Sequence, residues 1–169
     1  MPCNQEQRTA WSQRLGQKQA LRVGLVWRGS TANTNDHRRS FPLAQWLAQL
    51  PPGRDYVSLQ KEMRPEDESA LAGSSIRHFG EHIHDFTDTA ALCGLMDVVV
   101  TVDTSVAHLA ATLGKPTWIL LTYAPDWRWL LEREDSPWYP SARLYRQAVP
   151  GAWAALLERV AQDLLRFRN

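Results

Sequence analysis

Residues 103–108 hold the side chains best suited to chemistry in this sequence, directly after an apolar β-branched run typical of a buried central parallel strand. Asp103 or Thr104 can cap a helix that begins at Ser105, and the free N–H groups at such a helix end attract an anion. His108 shares a helix face with Thr104 and Ser105 and can reach the same ligand. Spacing alone leaves two interpretations open: a phosphate-type anion site, or a helix cap followed by a packed core histidine.

Two adjacent arginines, Arg38 and Arg39, lie in the polar loop that follows the first predicted strand. A guanidinium group offers two parallel donors, so a pair beside a strand end can make bidentate contacts with a diphosphate. The alternative is a solvated surface pair, and the sequence does not decide between the two.

Polar side chains also follow the second and third predicted strands. In an open α/β sheet, ligands bind outside the carboxyl ends of the strands. The opposite edge has ordinary connectors, such as the Pro-Pro-Gly turn at 51–53. The sequence therefore predicts a ligand site at the carboxyl edge. The polar residues there include Lys61 and Glu62 after the second strand, and His82, His84, Asp85 and Thr87 after the third.

Several chemistries are disfavoured by the motifs that the chain lacks. His82 and His84 with Asp85 are an incomplete ligand set for catalytic zinc, so no metal is expected. There is no Gly-x-Gly-x-x-Gly after the first strand, no Gly-Lys-Ser/Thr phosphate loop and no Gly-x-Ser-x-Gly elbow. A dinucleotide cofactor, ATP hydrolysis and a serine nucleophile are therefore not expected.

Short apolar runs alternate with helix-sized amphipathic stretches from residue 21 onward, a pattern that produces a parallel sheet with right-handed crossovers. We predict an α/β fold with a Rossmann-like, doubly wound, mostly parallel six-stranded sheet and helices on both faces. It spans 21–169, after an amino-terminal extension or short helix at 1–20. The predicted strands are 21–27, 56–59, 76–79, 98–102, 117–121 and 142–146. The predicted helices are 9–15, 42–50, 65–72, 88–95 with Thr87 as N-cap, 105–113 and 153–167.

Length and composition are those of one globular domain. The 169 residues are 44% hydrophobic and 22% charged, and the net charge of +1 gives no reason to expect nucleic acid as a partner. The longest apolar runs are strand-sized, so no transmembrane segment is expected, and the first residues lack a signal-peptide core. A cytoplasmic location follows as the expectation. Most of the eight tryptophans are expected to be core anchors, because each buries a large area.

An ordered series of motifs runs through the chain: Val-Gly-Leu-Val-Trp at 23–27, Asn-Asp-His-Arg-Arg-Ser at 35–40, Asp-Phe-Thr-Asp-Thr-Ala-Ala-Leu at 85–92, Val-Asp-Thr-Ser-Val-Ala-His-Leu-Ala at 102–110, Leu-Gly-Lys-Pro-Thr-Trp at 113–118, Ala-Pro-Asp-Trp-Arg-Trp-Leu at 124–130 and Ser-Pro-Trp-Tyr-Pro at 136–140. The series resembles the glycosyltransferase domain found after tetratricopeptide repeats in many bacterial proteins. That domain is similar to the carboxy-terminal, donor-binding half of the ADP-heptose:lipopolysaccharide heptosyltransferases and, more distantly, to O-linked N-acetylglucosamine transferase.

The resemblance implies a GT-B enzyme, in which two Rossmann-like halves hold the substrates between them. This chain looks like the half that binds the nucleotide diphosphate-sugar. No metal or other cofactor is implied, because positive side chains and helix N-termini stabilise the leaving diphosphate in such enzymes. By the family pattern, the donor diphosphate binds at Asp103, Thr104, Ser105, Val106 and His108 together with Arg38 or Arg39. The nucleotide and ribose bind near Lys61 or Glu62 and near Asp85, Phe86 and Thr87.

The chain departs from the family pattern in two places. The amino-terminal half, which normally carries the acceptor site and the general base, is missing. The catalytic base is therefore expected outside this chain, and that half or a tetratricopeptide-repeat region is the expected partner. Trp127, Trp129 or Trp138 is expected to face such a partner. The first loop reads Arg-Gly-Ser-Thr at 28–31, where relatives more often have Gly-Asn-Pro.

The sequence favours one function over two alternatives. The favoured function is a glycosyltransferase donor-binding domain that transfers sugar only together with the missing half. The first alternative is a non-catalytic nucleotide-binding or interaction module that kept the fold. The second, a Rossmann-type nucleotide-sugar epimerase or dehydrogenase, is disfavoured because the glycine fingerprint is absent.

Overall fold

A computed structural model describes residues 5–30 and 36–168, and the strands in these ranges form one six-stranded sheet. Their order is β3-β2-β1-β4-β5-β6, and every pair of neighbours is parallel. The predicted doubly wound α/β fold is confirmed, and the strand order reverses between β1 and β4. The strands are β1 (Arg22–Val26), β2 (Asp55–Ser58), β3 (Arg77–His78), β4 (Val98–Val102), β5 (Thr117–Leu121) and β6 (Ala142–Arg146).

Helices connect the strands and follow the last one. They are α1 (Gln5–Leu15), α2 (Asp36–Arg39), α3 (Leu43–Leu47), α4 (Pro65–Ala72), α5 (Phe86–Leu95), α6 (Ser105–Thr112) and α7 (Trp153–Arg166), with 3₁₀ turns at Gly80–His82 and Trp127–Trp129. None of the helices in the described ranges is both long and apolar enough to cross a membrane.

Most differences from the predicted elements are at their ends. Strands β4, β5 and β6 and helix α4 have the predicted bounds. Strand β3 is shorter than predicted and lies at the sheet edge, where it pairs on one side only. Helix α5 begins two residues early because Asp85, and not Thr87 as predicted, is its N-cap. Helix α2 and the 3₁₀ turns are too short to show an apolar periodicity, and the sequence did not predict them.

The side chains of β4 alternate between two apolar layers, as the pleat of a strand requires. Val98, Val100 and Val102 pack into a cluster that includes the α3 and α7 residues, whereas Val99 packs into a second cluster with α1 and α5. A third cluster joins α6 to β5 and β6. Helices therefore cover both faces of the sheet, as the sequence predicts.

Tryptophan supplies large core anchors, as expected. Trp11, Trp27, Trp46, Trp118, Trp129 and Trp153 are all buried. Trp127 and Trp138 are 72% and 58% exposed. The expectation of exposure is wrong for Trp129, because its ring stacks on His108 with 5.2 Å between the ring centroids.

The carboxylate of Asp97 joins the start of β1 to the start of β4. Its Oδ2 accepts the backbone N–H of Arg22 at 2.8 Å, and its Oδ1 lies 2.7 Å from Lys18 Nζ. The backbone N–H of Asp97 donates back to the Arg22 carbonyl at 2.9 Å. Burial acts to raise the pKa of Asp97, but the hydrogen bonds from Lys18 and Arg22 outweigh it and hold the pKa below its ordinary value.

We expect Asp97→Asn to lower the free energy of unfolding by about 1–3 kcal/mol at neutral pH, because a charged hydrogen-bond partner is lost. A carboxylate with a lowered folded pKa stabilises the fold above its unfolded pKa, near 3.9, and this stabilisation is lost as the pH falls through the folded value. Urea unfolding at pH 7 and pH 3 should therefore show a smaller difference between wild type and variant at pH 3.

Asp135→Asn is the matched control, since Asp135 forms an exposed ion pair with Arg133. Exposed pairs contribute little, so no measurable loss is expected there. Equal losses in the two variants, or a loss from Asp97→Asn that does not shrink at low pH, would contradict the role given to Asp97.

Candidate functional site

A cleft of about 430 Å³ opens at the carboxyl edge of the sheet, around the point where the strand order reverses. Open α/β sheets bind ligands at this position, and the volume is within the range of small-molecule sites. The cleft is lined by the ends of β1 and β2, the turn into α6 and the segment that enters α5. Its lining includes Arg28, Gly29, Gln60, Lys61, Glu62, His84, Asp85, Phe86, Thr104, Ser105 and Val106.

The amino end of α6 faces this cleft without a side-chain cap. Thr104 occupies the N-cap position in extended conformation, but its side chain makes no capping hydrogen bond and its hydroxyl lies 3.2 Å from that of Thr101. The prediction that Asp103 or Thr104 caps this helix with its side chain is therefore wrong. Ser105 and Val106, in the first turn, line the cleft. Their N–H groups and the helix dipole make this end suitable for an anion.

The amino end of α5 is capped by a carboxylate of the chain itself. Asp85 Oδ1 accepts the backbone N–H groups of Thr87 and Asp88 at 2.7 and 3.3 Å, and the hydroxyl of Thr87 at 2.6 Å. The Thr87 hydroxyl, followed by these backbone groups, lowers the pKa of Asp85, so the carboxyl group stays ionised near neutral pH. An anion is therefore disfavoured at α5, which distinguishes the two helix ends at the cleft. Thr87 binds Asp85 and does not line the cleft.

The cleft lining also contains Lys61, Glu62 and Phe86. Lys61 is exposed, and its Nζ donates to the His84 carbonyl at 2.9 Å. Phe86 is 59% exposed although it is a large apolar side chain. The resemblance implied that Phe86, between Asp85 and Thr87, lies near the base and ribose. The structure places it in the cleft lining, and its contact with a ligand stays a prediction.

The floor of the cleft is held by Arg28 and Gln60, polar residues that follow the first and second strands and to which the sequence assigned no specific role. The Gln60 side chain bonds both the N–H and the carbonyl of Arg28, at 3.3 and 3.1 Å. The Arg28 guanidinium forms a short ion pair with buried Asp67 and a second one with Glu66 at 3.1 Å. These partners compensate its charge, so Arg28 is a structural part of the site.

The two arginines nominated from the first loop have different positions, and neither is part of the cleft lining. Arg39 Nη1 donates to the Asp103 carbonyl at 2.7 Å and so joins the first loop to the turn before α6. Asp36 accepts the N–H of Gly29 at 2.8 Å and lies 3.3 Å from Arg39. Arg38 is exposed. Thr31, part of the unusual first-loop motif, lies outside the described residues.

Asp103 and His108 lie beside the cleft and not in its lining. His108 Nδ1 is 3.0 Å from the Tyr139 hydroxyl, and its ring stacks on Trp129. Its Nε2 lies 3.8 Å from Asp103 Oδ1. The ring is thus packed against Trp129 and Tyr139, and the prediction that His108 reaches a bound anion stays a prediction. No group of three or more potential metal ligands occurs within the described ranges.

The backbone at Gly29 has no room for a side chain. An added Cβ would lie 2.6 Å from the Arg39 Nη2 and closer still to Asp36 Oδ1. We expect Gly29→Ala to displace the Arg39–Asp103 link and to lower the free energy of unfolding by about 1–3 kcal/mol, the usual effect of overpacking. Urea unfolding and the amide shift of Thr104 measure the two effects.

Gly73→Ala is the control, because nothing lies within 4 Å of an added Cβ at that position, where φ is −93°. The control should leave both the stability and the Thr104 amide shift unchanged or slightly increase the stability. If Gly29→Ala behaves like the control, the close approach of Asp36 and Arg39 to Gly29 contributes neither to stability nor to the position of Thr104.

Comparisons with known proteins agree with this architecture. Residues 84–149 match the model of glycosyltransferase family 9 (heptosyltransferase). The chain is 33% identical over 156 residues to Protein FlbA of Caulobacter vibrioides, a match that covers 86% of this chain and 25% of FlbA. Its fold is similar to that of E. coli ADP-heptose LPS heptosyltransferase II, with a TM-score of 0.56 and 13% identity over 98% of this chain and 54% of that one. The chain therefore spans only part of both relatives. Residues 84–149 resemble glycosyltransferase family 9, and the likeness to the solved structure shows a shared fold.

Proposed function

We propose that the cleft binds a nucleoside diphosphate-sugar and that the chain is the donor-binding domain of a glycosyltransferase. The observation that carries the proposal is the uncapped amino end of α6, which faces a nucleotide-sized cleft at the strand-order reversal. The family match at residues 84–149 includes this helix and the capped end of α5.

The difference between the two helix ends predicts how the ligand is oriented in the cleft. The diphosphate binds at Thr104, Ser105 and Val106, because the helix end offers N–H donors and a positive dipole. The ribose lies toward Asp85 and Glu62, because a carboxylate repels phosphate but accepts a hydrogen bond from a sugar hydroxyl. Lys61, which lines the cleft next to Glu62, adds a positive charge that attracts the diphosphate.

The base stacks on Phe86. A mostly exposed aromatic ring at the edge of a cleft offers its face to a planar ligand, and stacking of this kind tolerates different bases. The sugar extends toward Asp103 and His108, which lie next to the diphosphate end. Arg39 supports that end through the Asp103 carbonyl, and Thr87 supports the ribose end through its hydrogen bond to Asp85. Exposed Arg38, the neighbour of Arg39 in the sequence, would contact phosphate from outside the lining.

Sugar transfer requires groups beyond this domain. We place the general base and the acceptor site in an amino-terminal GT-B half, with tetratricopeptide repeats as a further partner, in a cytoplasmic protein that needs no metal. Two observations support a partner region: the chain spans 54% of the heptosyltransferase chain that it resembles, and Tyr123, Trp127, Leu131 and Trp138 expose apolar side chains on the connection from β5 to β6.

Titration of the domain with UDP, ADP and GDP, followed by amide chemical shifts, tests the site. We expect at least one nucleotide to shift the amides of residues 60–62, 84–86 and 104–106. Absence of any shift there at millimolar nucleotide would refute the proposal.

Phe86→Ala should weaken the binding of the nucleotide about tenfold, because loss of base stacking costs roughly 1–3 kcal/mol. The stability should change little, since the ring is mostly exposed. Trp127→Ala removes another exposed aromatic, one that does not line the cleft, and should leave the affinity unchanged. If both variants bind as the wild type does, the base does not stack on Phe86.

A further inference from the structure

Helix α1 reaches the wall of the cleft through one buried carboxylate. Asp88, in the first turn of α5, is 6% exposed. Its Oδ1 accepts the indole N–H of Trp11 at 2.9 Å and the side-chain amide of Gln7 at 2.8 Å. Both donors belong to α1, within the segment that the sequence predicted to be an amino-terminal extension or short helix before the domain.

The other oxygen of the same carboxylate fixes the main chain of the cleft wall. Asp88 Oδ2 accepts the backbone N–H of His84 at 2.9 Å. The carbonyl of His84 accepts a hydrogen bond from Lys61 Nζ, so both the backbone N–H and the backbone carbonyl of His84 have partners. His84, Asp85 and Phe86 are three consecutive residues of the cleft lining.

We propose that α1 is a working part of the ligand site and that Trp11 and Gln7 are positioning residues, which act through Asp88 to hold the wall at residues 84–86. The inference rests on the proposed function of that cleft. The residues of α1 lie outside the segment matched by the family model, so the family match does not assign them this role.

The physical reason lies in the cost of a buried charge. A carboxylate out of contact with water must receive hydrogen bonds or lose its charge. Burial acts to raise the pKa of Asp88, but the donors Trp11, Gln7 and His84 together hold the pKa below its ordinary value. Removal of the α1 donors would leave this buried carboxylate short of hydrogen bonds. Conformations in which Asp88 turns toward water and releases the His84 N–H would then be populated more often.

The test uses the double variant Trp11→Phe plus Gln7→Ala, which removes both α1 donors and keeps an aromatic ring in the core. We expect the His84 amide to exchange with solvent about tenfold faster and the nucleotide affinity to fall several-fold. Trp46→Phe is the matched control, because Trp46 is also fully buried but its indole nitrogen has no hydrogen-bond partner within the described part of the chain. The control should change neither measurement.

If the double variant does not fold, Gln7→Ala alone tests the positioning role. Gln7 is only half-buried, so this variant should fold. It should produce the same changes at smaller size. Unchanged His84 exchange in a folded variant overturns the positioning role, whatever the affinity does. If no nucleotide binds to the wild type, the proposed function fails by itself, and His84 exchange still decides whether α1 holds this wall.

Discussion

The parallel pairing of β1 with β4 is the constraint on which the candidate site depends. Val23 to Val26 pair in register with Val98 to Thr101, so the two strands end at the same edge of the sheet. The chain leaves these ends toward opposite sides, because the strand order reverses between them. A gap therefore remains above the pair, and the amino end of α6 and the loop after β1 meet in it. Asp97 holds the opposite ends of the same two strands together.

The charges around this gap are arranged mainly to stabilise the protein itself. The guanidinium of Arg28 is compensated by Glu66 and Asp67, and buried Asp36 lies between Arg39 and Arg64. Loss of one partner of such a buried pair would leave an uncompensated charge, so each of these charged groups depends on its partner. The groups in the cleft lining that remain for the proposed diphosphate are therefore the end of α6 and Lys61. Backbone N–H groups can bind a diphosphate without many charged side chains, provided that the main chain is held in place.

The same principle explains why elements far from the cleft belong to the site. Arg39 fixes the turn before α6 through a carbonyl, and Asp88 fixes the entry to α5 through an amide. In both cases a charged side chain holds the main chain, and the main chain forms the surface that a ligand meets. Helix α1 becomes part of the site by this route, through the donors that it gives to Asp88.

The sequence by itself determined the fold class, the edge of the sheet that forms the site and most of the elements, because these depend on local periodicity and on the β-branched run of β4. It also pointed to Lys61, Glu62, Asp85 and residues 104–106, which the structure gathers in one cleft. Only the tertiary structure decided that α6 has no side-chain cap, that Asp85 caps α5, and that His108 packs beside the cleft. It alone showed the contacts by which Arg28 and Gln60 form the cleft, and it alone added Trp11 to the site. The physical reason is that a hydrogen bond from α1 to Asp88 joins residues 77 positions apart, and no local pattern encodes such a contact.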